Sequence, residues 1–547
     1  MHIVIPMSGV GQRFINAGYK VPKPLIEIDG KTIIEHVCSL FPGENKFTFI
    51  CNSAHLAETD MMKILKSIKP NSNIIEIPPH KKGPVYAVSC VYDMIEDDEE
   101  IIVNYCDFGT YWDYSDFLKH TRDRNADGAV PSYKGFHPHM LGTTNYAFIR
   151  DKNQWLLEIQ EKKPFTDNRM DEYASNGTYY FKKGSYLKKY FDRLMERDIS
   201  LNGEYYVSMV YNLLVEDGLS VSVYNIQHML QWGTPQDVEE YLQWSGYFRD
   251  IIQDDEKNEA RDGSITLIPL AGRGSRFSEA GYKEPKPLIE VSGRPMIIQA
   301  ALSLPKSSKH TFVALKEHLD AYPLAETLKS SFPGAKIIPL SGVTEGQAIT
   351  CSLGLNDENE DQSLLVAATD NGMLYNKAKL KQLTDDEDVD AVVFTFRNHI
   401  SSRINPHMYG WVKTDGEDAV GVSVKVPISD TPENDHAIVG TFYFSKVKYF
   451  NEALKSLVSR NVRVNNEFYV DSMIGELLDA GRKVKVFEVG DYICWGTPND
   501  YETFVYWQSF FHKVSWHPYS LELDKTVARE KLDDLDSRYR CFKQDFR

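Results

Sequence analysis

The strongest constraint on this chain is that a long segment of its sequence occurs twice. Residues 4–30 read VIPMSGVGQRFINAGYKVPKPLIEIDG, and residues 267–293 read LIPLAGRGSRFSEAGYKEPKPLIEVSG. The same spacing of 263 residues separates Trp244 from Trp507, so whole domains are repeated and not only a short motif. A repeat of roughly 250 residues is long enough to bury its own hydrophobic core. The sequence therefore predicts two tandem domains of the same fold.

The domain boundaries follow from the register of the repeat and from charge. We predict a first domain over residues 1–247 and a second domain over residues 264–510. The polar, charge-rich segment 248–263 is typical of a linker. Residues 511–547 have no counterpart in the first copy and are predicted to form a C-terminal extension.

Composition excludes several classes of function. The formal net charge of −17 argues against broad binding to nucleic acid or to anionic membranes. No apolar run approaches the roughly 20 residues that cross a bilayer, and the N-terminus lacks the features of an export signal. The seven cysteines are scattered without a C-x-x-C pair, which is typical of reduced thiols. We expect a cytoplasmic protein and leave homo-oligomerisation open.

Short apolar runs alternate with helical patterns along each copy. HIVIP, residues 2–6, leads into a glycine-bearing loop, and IIVNYCD, residues 101–107, precedes another helical stretch. This alternation predicts an α/β fold with a mostly parallel sheet that helices cover on both faces.

The glycine-bearing loop is the first chemical motif. SGVGQRF, residues 8–14, follows the first strand, and AGRGSRF, residues 271–277, follows its counterpart. Glycines let backbone amides approach an anion at the start of a helix, so the loop suits a phosphate group. A tight turn without a ligand explains the loop alone about as well. The third glycine of dinucleotide-binding loops and the Gly-Lys-Ser/Thr of Walker loops are both missing from these segments.

A lysine follows each loop at a fixed distance. Lys23 and Lys286, each before a proline, lie ten residues after Arg13 and Arg276. Two cations can clamp a polyphosphate, since arginine binds oxygens in pairs and lysine acts as a point charge. The chain thus resembles the sugar-phosphate nucleotidyltransferases (nucleotide-sugar pyrophosphorylases), whose signature is a G-x-G-x-R-F/L loop followed by Lys-Pro. The resemblance implies two tandem glycosyltransferase-A-like (Rossmann-like) three-layer α/β sandwiches.

The resemblance also implies nucleotide-binding and metal-binding positions. An aspartate at the end of a central strand corresponds to Asp107 and Asp370, where Mg²⁺ would bridge nucleotide phosphates. A turn or a loop cap is the competing interpretation of these residues. The implied nucleotide-binding positions are Ser8, Gly9, Gly11, Gly83, Ala271, Gly272, Gly274 and Gly346.

The two copies differ on the implied acceptor side. A Glu-Lys-Pro-like element corresponds to Glu161 and Lys162, whose carboxylate and amine would bind a sugar hydroxyl and the acceptor phosphate. The second copy keeps the lysine as Lys425 but has Val424 in the place of the glutamate. We therefore expect the second site to take another acceptor or none. Further implied acceptor positions are Asn176, Gly177 and Gly440.

One departure from the family pattern concerns the second metal ligand. Many members carry an aspartate where this chain has Gln231 and Cys494. Neither side chain replaces a carboxylate for Mg²⁺. Either phosphates and one aspartate hold the ion, or another acid contributes. The candidates are Glu204, Asp471 and Asp491.

Together these residues predict transfer of a nucleotide to a phosphorylated small-molecule acceptor, a sugar phosphate in the first domain, with release of pyrophosphate. The resemblance implies a role in making cell-surface polysaccharide precursors. The predicted catalytic residues are Arg13, Lys23, Asp107, Lys162, Arg276, Lys286, Asp370 and Lys425.

Two alternatives stay open. A glycosyltransferase of the same fold class normally binds its metal with D-x-D at a strand end, whereas Asp388-Val389-Asp390, which has this pattern, precedes a predicted strand. The other alternative is one active copy beside a nucleotide-binding or regulatory copy.

Overall fold

The computed structural model describes residues 1–143, 145–254 and 261–540, which form two compact units. The first unit comprises Met1–Ser245 together with Val514–His517, and the second comprises Gly246–Lys513 and the chain from Pro518 onward. In the described residues no helix is long and apolar enough to span a membrane. Six cysteines are free thiols, and Cys541 lies outside the described residues.

The elements of the first unit alternate between strands and helices. Its strands are β1 (His2–Met7), β2 (Glu27–Ile28), β3 (Lys31–Thr32), β4 (Lys46–Asn52), β5 (Asn73–Ile77), β6 (Ile101–Asn104), β7 (Phe108–Tyr111), β8 (Gly128–Tyr133), β9 (Ala147–Lys152), β10 (Trp155–Glu161), β11 (Tyr173–Ser175), β12 (Thr178–Phe181), β13 (Val221–Asn225) and β14 (His228–Gln231). Its helices are α1 (Gln12–Asn16), α2 (Ile33–Ser39), α3 (Ser53–Glu58), α4 (Met61–Ile68), α5 (Gly83–Ser89), α6 (Tyr114–Asp123), α7 (Gly184–Glu196), α8 (Val207–Glu216) and the start of α9 (Pro235–Gln253).

The central sheet of the first unit is mixed, so the prediction of a mostly parallel sheet holds only for part of it. Its strand order is β11-β9-β10-β13-β8-β12-β6-β1-β4-β5. β1 pairs parallel with β4 and β6, and β8 pairs parallel with β13. β12 runs antiparallel between β6 and β8, and β9 and β10 form a hairpin. The hairpin turn is too short for a parallel crossover, which needs a dozen or more residues.

Both faces of this sheet are buried, as the sequence pattern predicted. Val4, Ile101 and Val103 pack in one core with helices α5, α7 and α8. Ile3 and Ile102 alternate with them and are also fully buried, on the opposite face. Strands buried on both faces read as continuous apolar runs.

The second unit repeats this arrangement. Its strands are β15 (Arg261–Leu270), β16 (Glu290–Val291), β17 (Arg294–Pro295), β18 (Ser307–Leu315), β19 (Lys336–Leu340), β20 (Leu364–Val366), β21 (Asn371–Leu374), β22 (Ala391–Phe396), β23 (Gly410–Asp415), β24 (Asp418–Val424), β25 (His436–Phe444), β26 (Val484–Glu488) and β27 (Asp491–Cys494). Its helices after α9 are α10 (Ser275–Glu279), α11 (Met296–Leu302), α12 (Lys316–Ala321), α13 (Leu324–Ser331), α14 (Gln347–Gly354), α15 (Lys377–Asp385), α16 (Ile400–Ile404), α17 (Val447–Ser459), α18 (Val470–Asp479), α19 (Pro498–Lys513) and α20 (Leu532–Arg540).

The sheet of the second unit is also mixed and buried on both faces. Its order is β19-β18-β15-β20-β25-β22-β26-β24-β23, with β25 antiparallel to both β20 and β22. Ile265 and Leu267 of β15 pack in one core, and Ile268 and Leu270 pack in the other.

The predicted linker differs from the structure in its first residues. Residues 248–253 continue helix α9, where Phe248 and Ile251 are buried, and β15 begins at residue 261. Apolar residues at helical spacing therefore outweigh the charge of this segment. The described part of the extension is also packed, because Leu521, Val527 and Tyr539 are buried.

Candidate active site

The strand directions bring three chain segments to one edge of the first sheet. β1 and β6 are parallel, so the loop after β1 and residues 105–107 after β6 lie at the same edge. β12 is antiparallel to β6, with Thr178 opposite Asn104, which places Asn176 and Gly177 there too. Ligands bind at the carboxyl ends of the strands in open α/β sheets.

The second glycine of each loop is in the left-handed conformation that a side chain would oppose. Gly11 has a φ of 71° and Gly274 a φ of 63°, and each precedes a short helix. A Cβ atom on Gly274 would stand 3.0 Å from the Cβ of Lys286, and one on Gly11 would stand 3.8 Å from that of Lys23. The loop thus packs against the stem of the lysine that the sequence predicted beside it.

Each of these lysines forms an ion pair with the predicted metal-binding aspartate. Lys23 Nζ donates to Asp107 Oδ2 at 2.8 Å, and Lys286 Nζ donates to Asp370 Oδ2. Burial opposes the charge on Lys23, but the Asp107 carboxylate outweighs it and raises the pKa of the lysine. Lys23 is therefore a full positive charge at neutral pH.

The side chains of the loop arginines are exposed. Arg13 and Arg276 both lie on the surface of the loop. Within the described part of the chain, neither guanidinium takes part in a hydrogen bond or an ion pair. Each is therefore free to bind an anion.

Two adjoining cavities meet at Asp107. One has a volume of about 290 Å³ and is lined by the glycine loop, Lys23 and Gly83. The other, of about 200 Å³, is lined by Arg13, Glu161, Lys162, Asn176 and Gly177 among others. Tyr105, Asp107 and Tyr206 line both. The predicted nucleotide and acceptor positions therefore occupy two separate compartments with a shared wall.

The close approach of the Tyr205 backbone requires a glycine at position 83. Its φ is 82°, and a Cβ atom there would stand 2.7 Å from the backbone N and O of Tyr205. Val85 N donates to Tyr205 O at 3.1 Å, and Tyr205 N donates to Lys82 O at 2.9 Å. Gly346 repeats this contact with the backbone of Phe468. Gly83 thereby lines the larger cavity, and a base contact by Gly83 or Gly346 stays a prediction.

We expect Gly83→Ala to destabilise the first unit by about 1–3 kcal/mol more than Gly135→Ala, because an overpacked contact is added to the backbone strain. Gly135 has a φ of 88° but no atom within 4 Å of the point where an added Cβ would stand, so it isolates the strain alone. Urea denaturation of both variants measures the difference. Equal losses would show that the Tyr205 backbone yields without cost.

Ser8, another residue predicted to bind the nucleotide, has a defined side-chain contact. Its hydroxyl lies 3.0 Å from His80 Nε2, and its carbonyl accepts from Asn52 at 3.1 Å. His80 and Lys81 line the same cavity. Sequence reasoning missed both, although the run His80-Lys81-Lys82 directly before Gly83 is a visible basic signal.

On the predicted acceptor side, Lys162 has an unusual backbone conformation and a defined hydrogen-bond partner. Its φ is 58°, a left-handed conformation that costs a non-glycine residue about 1 kcal/mol or more. Its Nζ donates to the Tyr206 hydroxyl at 2.7 Å, and that hydroxyl donates to Glu204. Lys425 in the second copy has the same conformation, with a φ of 63°.

Glu161 and Asn176 are held by neighbouring side chains. Ser208 Oγ donates to Glu161 Oε2 at 2.6 Å, and burial raises the pKa of Glu161. Asn176 donates to Thr110 at 3.0 Å and accepts from Thr178 N at 3.0 Å.

The remaining predicted residues are Gly177 in the first copy and Gly440, Ala271 and Gly272 in the second. Gly177 has a φ of 100°, and a Cβ there would stand 2.9 Å from the Phe108 ring. Its counterpart Gly440 has a φ of 91° and lies against Ala368. In the second loop, Ala271 is buried and Gly272 is exposed.

Of the acids considered as a second metal ligand, Glu204 lines the larger cavity together with Asp107. Glu204 is bound by Tyr206, and Asp491 pairs across the sheet with Leu374, three residues from the pair formed by Cys494 and Asn371. Among the described residues there is no group of three acidic, histidine or cysteine side chains that could hold a metal ion.

Two other acids accept hydrogen bonds from Gln231 and Cys494, the residues that replace the family aspartate. Gln231 donates to Asp237 Oδ2 at 2.7 Å, and Cys494 donates to Asp500 Oδ2 at 3.6 Å. Burial, and to a lesser degree the nearby Asp107 charge, raise the pKa of Asp237. Each acid also caps the following helix through Thr234 or Thr497.

The D-x-D pattern lies away from this edge. β20 and β22 are both antiparallel to β25, so they run in the same direction. Asp370 follows β20 whereas Asp390 precedes β22, which places them at opposite edges. Asp390 accepts from Lys483 N at 2.8 Å, a structural contact.

The chain is similar to one protein family and to several solved structures. The profile of the Nucleotidyl transferase family matches residues 3–206. A nucleoside-diphosphate-sugar pyrophosphorylase structure from Vibrio cholerae RC9 is 23% identical, covers 44% of this chain and 99% of its own, and has a TM-score of 0.37. A putative glucose-1-phosphate thymidylyltransferase from Bacillus anthracis is 17% identical, with coverages of 47% and 98% and a TM-score of 0.37.

A third similar structure is the inositol-1-phosphate CTP transferase from T. maritima, which is 15% identical, with coverages of 46% and 97% and a TM-score of 0.36. The search of curated proteins gave no match. The match over residues 3–206 includes Arg13, Lys23, Asp107 and Lys162, and it bears out for the first copy the predicted resemblance to the nucleotidyltransferases.

Proposed function

We propose that this protein is a Mg²⁺-dependent nucleotidyltransferase that joins a nucleoside triphosphate to a phosphorylated small-molecule acceptor and releases pyrophosphate. The family match supports the transfer chemistry. In the first copy we propose a sugar phosphate as the acceptor, and we propose that the product serves cell-surface polysaccharide synthesis, on the resemblance stated from the sequence.

The observation that carries the proposal is the pair of cavities joined at Asp107. A triphosphate in the larger cavity would have its phosphates beside Lys23 and the glycine loop. An acceptor in the smaller cavity would have its phosphate beside Lys162, and Arg13 lines the same cavity next to Asp107. The two substrates would then meet at their phosphate ends.

In this arrangement the residues align and neutralise charge. An acceptor phosphate oxygen attacks the α-phosphorus, and the bond to the pyrophosphate group breaks. A phosphate monoester is already nucleophilic at neutral pH, so alignment and electrostatic stabilisation suffice. Lys23 would bind the α-phosphate, Arg13 the leaving pyrophosphate and Lys162 the acceptor phosphate.

The residues of the site supply one of the ligands that Mg²⁺ would need. Mg²⁺ in nucleotide sites is commonly bound by one or two carboxylates and by substrate phosphates, and Asp107 supplies one carboxylate. Gly233 leaves space beside it, since a Cβ there would stand 3.5 Å from Asp107 Oδ2. When bound, the ion would neutralise charge on the phosphates.

The test is a matrix of nucleoside triphosphates against phosphorylated acceptors, read by pyrophosphate release. It is run on the full chain and on variants with Asp107→Asn or Asp370→Asn, which separate the two sites. Release of nucleotide from a sugar nucleotide without pyrophosphate would instead favour the glycosyltransferase alternative.

We expect Lys162→Met to lower kcat/KM for the acceptor in the first site by about 10- to 100-fold, because a charge-assisted hydrogen bond contributes about 1.5–3 kcal/mol. Triphosphate binding should stay unchanged. The measurement is steady-state kinetics with the second site silenced by Asp370→Asn. Lys163→Met is the matched control, since Lys163 is exposed. If both variants behave alike, Lys162 does not bind the acceptor.

A further inference from the structure

We propose that Asp471 supplies, in the second copy, the acceptor-side carboxylate that Glu161 supplies in the first. The inference rests on the proposed function. It changes the expectation that the Val424 position leaves the second acceptor pocket without a carboxylate.

In the first copy three positions form the carboxylate site. Glu161 at the end of β10 lies opposite Ala147 at the start of β9. Ser208 on α8 donates to the Glu161 carboxylate at 2.6 Å. The helix therefore supplies a hydroxyl and the strand supplies the acid.

In the second copy all three equivalent positions have changed. Val424 at the end of β24 lies opposite Gly410 at the start of β23, in the same register as Glu161 and Ala147. Asp471 occupies the position of Ser208, 263 residues later, on helix α18. The acid thus comes from the helix and no longer from the strand.

The third change makes room for the moved carboxylate. Asp471 Oδ2 lies 2.2 Å from the point where a Cβ on Gly410 would stand. The alanine of the first copy could not be accommodated there, because real Cβ contacts of that length do not occur. The carboxylate of Asp471 therefore fills the space that the Ala147 methyl occupies, directly above the strand position that faces Val424.

Charge also connects Asp471 with the second acceptor lysine. Burial raises the pKa of Asp471, and the positive Lys425 opposes that rise. Burial lowers the pKa of Lys425, and Asp471 opposes that fall. Among the described residues no side chain donates a hydrogen bond to Asp471, whereas Glu161 accepts one from Ser208.

The chemistry of the acceptor follows from this placement. A phosphate beside Lys425 and a hydrogen-bond donor beside Asp471 describe a phosphorylated compound that carries a hydroxyl or an ammonium group. The donor must approach from the side of α18. The place of Tyr105, which lines both cavities of the first copy, is taken by Ala368, which leaves more room.

The test uses the full chain with the first site silenced by Asp107→Asn, and the acceptor matrix described above. In that parent, Asp471→Asn should lower kcat/KM for the preferred acceptor by at least about tenfold and leave the Kd of the triphosphate within about twofold. Asp479→Asn, on the same helix but paired with Arg460, is the matched control and should change neither value.

A second variant separates the role of the carboxylate from an effect on folding. Asp471→Ser alone should lose acceptor turnover, and adding Val424→Glu should restore it, because the first-copy arrangement is rebuilt. Unchanged acceptor kinetics in Asp471→Asn, or no rescue by Val424→Glu, would overturn the inference about Asp471 and leave the proposed function intact. A parent that releases no pyrophosphate with any acceptor would overturn the proposed function of the second copy together with the inference.

Discussion

Asp107→Asn is expected to reduce turnover by the first site about 100-fold or more while the fold is kept. Asparagine preserves the shape of the side chain but removes its charge, and metal-dependent stabilisation of phosphate groups contributes several kcal/mol. Lys23 also loses the carboxylate at 2.8 Å that offsets its burial. Both effects act on the phosphates that react.

Metal-free binding of the triphosphate gives an independent readout of Asp107. We expect it to be equal or stronger in Asp107→Asn, because a negative charge that faces the phosphates has been removed. Asp370→Asn serves as the control, since it should act only on the second site. Turnover that stays at the parental level in Asp107→Asn would mean that this carboxylate only holds Lys23.

Arg13→Ala is expected to weaken triphosphate binding by the first site about 10- to 100-fold, from the loss of a charge-assisted grip of about 1.5–3 kcal/mol. Arg13 is exposed, so its removal leaves no cavity in the core. Arg276→Ala should have the same effect on the second site only.

Titration calorimetry of the two single variants and the double variant measures this effect. The parent should show two binding events, each single variant should lose one, and the double variant should lose both. Loss of both events in either single variant would mean that the two loops do not bind independently. If every variant kept both binding events, the loop arginines would not be triphosphate-binding residues.

The sequence predicted the parts of the site that lie close together along the chain or recur at a fixed offset. It predicted a lysine after the loop, Lys23, and an acid at the end of a parallel strand, Asp107, and the structure adds the ion pair between them. Such positions are set by strand direction, which a pattern of apolar runs reveals.

Another missed residue, Tyr206, is brought in by a distant backbone contact. Tyr206 reaches the site because the chain beside it pairs with the backbone at Gly83. No local spacing encodes that contact. Asp471, on helix α18, was interpreted only as a possible metal ligand, because its role depends on simultaneous changes at Val424 and Gly410, which lie on two strands.

The linker prediction shows a different difficulty. The segment 248–263 was judged by its charge, although Phe248 and Ile251 within it are buried in the second unit. Charge on one side of a helix does not exclude an apolar stripe on the other. Average composition over a segment hides that difference.

The segment Val514–His517 affects the stage of synthesis at which the first unit can complete its packing. The Trp516 ring lies 5.4 Å from the His36 ring, and His517 Nε2 lies 3.2 Å from Ser245 O, so both residues complete the packing of the first unit. Translation proceeds from the N-terminus, and a ribosome must therefore add more than 260 further residues after Ser245 before that packing can close. The first unit can therefore reach its final packing only after residues 514–517 have been made.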